Sequence, residues 1–104
     1  MVLVHVMCAS AAEAEAIAES MLVSRLAACA TLGPEVRSRY RWQGGIESAA
    51  EVPLLLKTRR HCFAELERAI RRLHSYQVPE IVAVSVVEGS AAYLDWLAGE
   101  TGHH

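Results

Sequence analysis

Val2-Leu-Val-His-Val-Met-Cys8 is followed, after one alanine, by Ser10-Ala-Ala-Glu13, and this junction points to the fold class. The first run is short, β-branched and apolar at successive positions, the pattern of a strand covered on both faces. The second is a capping box, with serine at the N-cap and glutamate three residues on. The helix it opens is alanine-rich and runs to about Ser24. Ala14, Ile17, Ala18, Met21 and Leu22 recur at helical spacing, so one stripe faces a sheet.

Working outward, a second strand starts near Ala27 and is interrupted by Gly33-Pro34. Beyond the break, Val36, Ser38, Tyr40 and Trp42 alternate with Arg37, Arg39 and Arg41, a two-residue period. Gln43-Gly44-Gly45 is a hairpin signal, because glycine tolerates positive φ. A further strand is predicted from about Glu51 to Lys57. Pro53 cannot donate to a ladder, which places it at an edge, a bulge or a strand start. A second helix covers roughly Arg59 to Leu73, with Phe63, Leu66, Ile70 and Leu73 as its buried stripe. The connector His74-Ser-Tyr-Gln-Val-Pro-Glu80 leads into a strand, Ile81 to Val87, and Ser90 can cap a last helix carrying Tyr93, Leu94, Trp96 and Leu97. The order β-α-β-β-α-β plus a terminal helix is that of an α+β, ferredoxin-like domain spanning residues 1–104. Its strands are apolar on both faces, so the sheet face without helices is predicted to be covered by another subunit.

Composition bounds the function. The 104 residues are 53% hydrophobic and 21% charged, rich in apolar residues for a small monomer. Net charge is −2, which argues against nucleic acid as the main partner despite the Arg37, Arg39 and Arg41 stripe. Three cysteines at irregular spacing, without a signal peptide, read as reduced thiols of a cytoplasmic protein. No run approaches the roughly 18–20 apolar residues of a membrane span. The His103-His104 tail is a natural end or an expression remnant and is given no functional weight.

Chemistry-bearing residues are few. Cys8 ends the first strand just before a helix N-terminus, where the dipole and free amides favour thiolate and metal binding; alternatively it is a small buried hydrophobe. Cys29 reads as core, and Cys62 has no obvious partner. His74 sits on a loop near the strand ends, as a ligand or as a charge at a helix C-terminus. His5 reads as structural. Lys57 closes an apolar strand and, with Glu47, Glu51 and Glu80, could form ion pairs or line an anion pocket. There is no close pair of metal ligands, nucleophile–base pair or phosphate loop, so catalysis has little support.

The chain resembles the CutA family of divalent-ion tolerance proteins. The matching residues are Arg25-Leu-Ala-Ala-Cys29, Tyr40-Arg-Trp42 with Glu47, Leu54-Leu-Leu-Lys-Thr58, His74-Ser-Tyr-Gln-Val-Pro-Glu-Ile81 and Tyr93-Leu-Asp-Trp96. The resemblance implies a trimer of ferredoxin-like subunits, an architecture similar to the PII signalling proteins, and an association with copper and other divalent metals. It puts the metal ligands on Cys8 and His74; Leu73 stands where some members carry a second histidine, and Ser75 where proline is usual. The first expectation is therefore a non-catalytic, cytoplasmic homotrimer that binds copper or another divalent metal. The alternatives are a PII-like sensor holding a small anionic metabolite between Trp42, Lys57, Tyr76 and Glu80, with Lys57 as counter-charge, and a trimeric scaffold for other proteins.

Overall fold

Residues 1–102 are described by a computed structural model; the His103-His104 tail lies outside the described residues. The first strand, β1 (Val2–Cys8), leads into α1 (Ala11–Val23). Ser10 caps this helix, its Oγ accepting the Glu13 N–H at 3.1 Å. Glu13 returns to the chain start as a capping box requires, though to the Ala9 N–H (3.3 Å). The remaining elements are β2 (Cys29–Leu32), β3 (Val36–Trp42), β4 (Gly45–Thr58), α2 (Phe63–Leu73), β5 (Ile81–Ser85) and α3 (Ala91–Glu100).

The sheet order is β2-β4-β1-β5, antiparallel throughout, with β3 pairing the outer part of β4. This is the ferredoxin-like α+β arrangement expected from the sequence, in which each helix carries the chain past one strand before it re-enters the sheet. β1 is central, between β4 and β5. Val2, Val4, Val6 and Cys8 alternate onto the face that α1 and α2 cover, meeting Ala14, Ile17, Met21, Leu66 and Ile70 in the core.

Several boundaries differ from the sequence expectation. β4 begins at Gly45, not near Glu51. Gln43 and Gly44 both take positive φ, 48° and 83°, which is the two-residue hairpin geometry that continues the twist of its strands. It locks Trp42 opposite Gly45, and pairing then carries Ser48-Ala49-Ala50 into the strand despite their weak β-propensity. β5 stops at Ser85, opposite Val2, because β1 offers no further paired residue; the Val86 N–H bonds the Met1 carbonyl instead (3.1 Å). Ser90 holds the N-cap position of α3 without making a side-chain bond. Arg25 and Arg59 secure the far end of that helix, donating to the Gly99 carbonyl (2.7 Å) and the Thr101 carbonyl (2.7 Å).

Two stripe assignments also change. Leu22 flanks the α1 stripe and is exposed, and so is Leu73. The buried row of α2 runs Leu66, Ile70, His74 at intervals of four, so the imidazole, not Leu73, takes the next inward position. On the opposite sheet face the register aligns His5 with both Leu55 and Val82, and Leu3 with Val84. Val82 and Val84 are about half exposed there, so the second face is uncovered by the chain itself.

Pro53 lies inside β4, opposite Met7. Its nitrogen faces the β2 side, where the edge breaks at Gly33, so the missing donor falls in an interruption of the ladder. Its carbonyl still accepts the Gly33 N–H at 2.9 Å. A Cβ on Gly33 would stand 2.8 Å from Pro53 Cγ. Gly33→Ala is therefore expected to destabilise the fold by about 1–3 kcal/mol through overpacking. Chemical denaturation checks this, with Pro53→Ala in the same chain recovering most of the loss.

Candidate metal centre

Sequence left open whether Cys8 and His74 meet. The topology answers it: β5 runs antiparallel to β1 with Ile81 opposite Val6, so the connector ahead of β5 arrives at the C-terminal end of β1. The first turn of α1 starts at the same place. Cys8, Glu13 and His74 thus come from three elements, and one ligand atom of each lies within 4.8 Å of the others. Cys8 is fully buried and the His74 side chain is 0% exposed. His74 is therefore no solvated charge at the end of α2.

Hydrogen bonds fix the imidazole. Nε2 lies 2.8 Å from the Met7 carbonyl, which can only accept, so Nε2 carries the proton. The Tyr76 N–H donates to Nδ1 at 3.1 Å, so Nδ1 presents its lone pair. The same Nδ1 is 3.3 Å from Glu13 Oε1. An acceptor nitrogen this close to a carboxylate is an unfavourable contact, which the Tyr76 N–H offsets in part and a cation between the two would turn favourable. The backbone carbonyl behind Nε2–H is the usual outer partner of a ligating histidine, fixing both tautomer and orientation.

Glu13 was missed as a candidate because its capping role accounts for it completely. A signal was nevertheless present. A capping-box glutamate bends back over the helix start, and here the helix starts three residues after Cys8. Burial raises the Glu13 pKa, but hydrogen bonds from the Ser75 side chain and from the Ala9 and Ser75 amides outweigh it and bring the carboxyl below its ordinary value. The Ser75 N–H reaches Oε2 at 3.3 Å, a bond that proline at this position could not make.

Cys8 departs from expectation. Burial, then the carboxylates of Glu13 and Glu51, push its thiol up from 9.0 to about 11. The helix N-terminus does favour thiolate, but Glu13 sits on that same N-terminus and reverses the local field. At neutral pH, Cys8 is a thiol that becomes a thiolate only when a cation displaces its proton.

Beside this cluster lies a cleft of ≈ 590 Å³. Trp42, Tyr76 and Glu80 line it, together with Met7, Arg39 and Glu51. Lys57 stands away from it on the uncovered sheet face, 5.6 Å from the Tyr93 ring. Within the chain, Arg39 is the cation of the cleft. Tyr76 is pushed up to about 12 by burial, then by its hydrogen bond to Glu51 and that carboxylate's charge.

The thiol shift has a direct readout. With Cys29 and Cys62 replaced by alanine, the ultraviolet thiolate absorption of the folded, metal-free chain should stay absent at pH 8 and rise with a midpoint near 11. Unfolding in denaturant should return the midpoint to about 9. Because the folded pKa is the higher one, the folded state binds the extra proton between these values, and the stability the neutral thiol contributes is lost as pH rises through them.

The family is identified by comparison with known proteins. Residues 2–100 match the family profile described as CutA1 divalent ion tolerance protein. The divalent-cation tolerance protein CutA of Thermus thermophilus is 46% identical over 89 residues, covering 86% of each chain. A solved structure of the T. thermophilus protein superposes with a TM-score of 0.96 at 43% identity, covering 98% of this chain and 100% of that one. A structure described as the periplasmic divalent cation tolerance protein CutA of Archaeoglobus fulgidus gives 0.93 at 35% identity, covering 96% and 98%. Sequence match and backbone agree along almost the whole length: the chain belongs to the CutA1 divalent ion tolerance protein family.

Proposed function

We propose that the chain is a non-catalytic homotrimer that binds copper or another divalent metal and contributes to metal tolerance. The ion would be held by Cys8 Sγ, a Glu13 carboxylate oxygen and His74 Nδ1. The observation that carries this reading is the convergence of three ligand atoms within 4.8 Å, with His74 Nδ1 only 3.3 Å from Glu13 Oε1 beside a buried thiol, an arrangement that a cation completes. Thiolate, imidazole and carboxylate form a mixed donor set that suits zinc or copper(II) with one position open; copper(I) would favour the sulfur and nitrogen alone.

Trimerisation is supported by the uncovered apolar sheet face and by the exposed Tyr40, Trp42 and Ile46 on the β3–β4 hairpin. A cytoplasmic location is proposed on the three free cysteines, Cys8, Cys29 and Cys62. The A. fulgidus relative is described as periplasmic, and cell fractionation decides the matter for this chain. Among the described residues, no helix is long and apolar enough to cross a membrane.

A second reading, a sensor of a small charged ligand, is favoured by the convergence of Trp42, Tyr76, Glu80 and Arg39 on one cleft. The same titration separates the two. With His103 and His104 replaced by alanine and reductant present, zinc or copper(I) should bind once per chain. Cys8→Ala, Glu13→Gln and His74→Ala should each weaken the zinc complex about tenfold or more. Apparent affinity should tighten about tenfold per pH unit between pH 6 and 8, because one thiol proton leaves per ion bound. Binding indifferent to all three substitutions would reject the metal centre and leave the cleft as the functional site.

The assembly has its own test. Val84→Asp places a charge on the uncovered face, and sedimentation should then show monomer where the parent sediments as a trimer. A parent that sediments as a monomer would refute the trimer.

A further inference from the structure

The metal centre and the cleft share one wall. Met7 gives its carbonyl to His74 Nε2–H and its side chain to the cleft. Tyr76 is tied to both sides more closely. Its amide donates to His74 Nδ1 at 3.1 Å, its ring lies 4.8 Å from the imidazole, and its side chain lines the cleft. Glu51, a buried carboxylate that helps to raise the pKa of the Tyr76 hydroxyl, lines the same cleft.

We propose that Tyr76 couples the two sites, so that a divalent cation on His74 Nδ1 displaces the Tyr76 amide and reshapes the cleft. The inference rests on the metal reading above and extends it to regulation. An imidazole nitrogen has one lone pair in the ring plane, and an N–H donor and a cation cannot both take it. The opposite edge of the ring stays fixed by the Met7 carbonyl, so the adjustment falls on the connector. The middle of that segment is loosely held: Gln77 and Val78 are exposed, Val78 at 68%. Its other tether, the Ser75 N–H on Glu13 Oε2, ends on a second ligand of the same ion. Binding therefore acts on the two amide hydrogen bonds, from Ser75 and Tyr76, that tie the turn to the centre. By linkage the effect is reciprocal, and a cleft ligand that draws Tyr76 away from Nδ1 tightens the metal.

The test uses the full chain with His103→Ala, His104→Ala and Trp96→Phe, leaving Trp42 as the single tryptophan. Zinc is the probe, because its filled d-shell does not quench fluorescence through unpaired electrons. Calorimetry reads uptake at the centre and Trp42 emission reads the cleft. The two are expected to saturate together, at one zinc per chain. Tyr76→Ala should bind zinc about twofold to tenfold more tightly, through loss of ring packing and a weakened amide bond, with the Trp42 response abolished. Tyr76→Phe keeps the amide and the ring and loses only the hydroxyl, and should retain zinc uptake with a diminished response. Zinc uptake with unchanged Trp42 emission, or a full response in Tyr76→Ala, would overturn the coupling and leave the metal reading intact. Uptake no greater than that of Cys8→Ala would overturn both.

Discussion

The pairing of β1 with β4 on one side and β5 on the other is the constraint on which everything else depends. An antiparallel neighbour runs back to the place where its partner ends. The connector that precedes β5 must therefore arrive where β1 stops, and the helix that follows β1 must begin there too. The junction of β1 with α1 and a connector far away in sequence meet at one end of the sheet because of strand direction. Cys8, Glu13 and His74 are the side chains they carry to that end.

That meeting is electrostatically unusual. A buried imidazole whose proton is committed to a carbonyl turns its acceptor nitrogen toward a carboxylate, and a thiol lies beside both with its ionisation suppressed. The carboxylate is satisfied by the Ala9 and Ser75 amides and the imidazole by the Tyr76 amide. Taken together, they form a cluster of acceptors lacking positive charge. A low-dielectric site of this kind gains from a cation and selects against a second anion. This accounts for the thiol being held protonated in the free protein. The imidazole is oriented and the carboxylate anchored by the protein's own hydrogen bonds.

Local patterns in the sequence were sufficient for much of the fold. The strand–capping box–helix junction at Val2–Glu13, the Gln43-Gly44 hairpin and the helical rows of α1 and α2 are each set by neighbours within a few residues. Boundaries governed by pairing were less legible. The weak stretch Ser48-Ala49-Ala50 becomes strand because β3 is locked opposite it. β5 ends at Ser85 because β1 offers no further partner. The α2 row could be counted as ending at Leu73 or stepping on to His74, and only packing against the sheet shows that the histidine turns inward.

The family resemblance, the ferredoxin-like order and the candidacy of Cys8 and His74 were all fixed by the residues themselves, since motifs and periodicity are local properties. Tertiary structure alone decided that Cys8 and His74 are neighbours, that Glu13 joins them, and that Lys57 lies apart from the cleft of Trp42, Tyr76 and Glu80. It also reversed the expected ionisation of Cys8. A helix N-terminus can be read from sequence, but the desolvation and the two carboxylates that overrule it depend on what the fold packs around the sulfur.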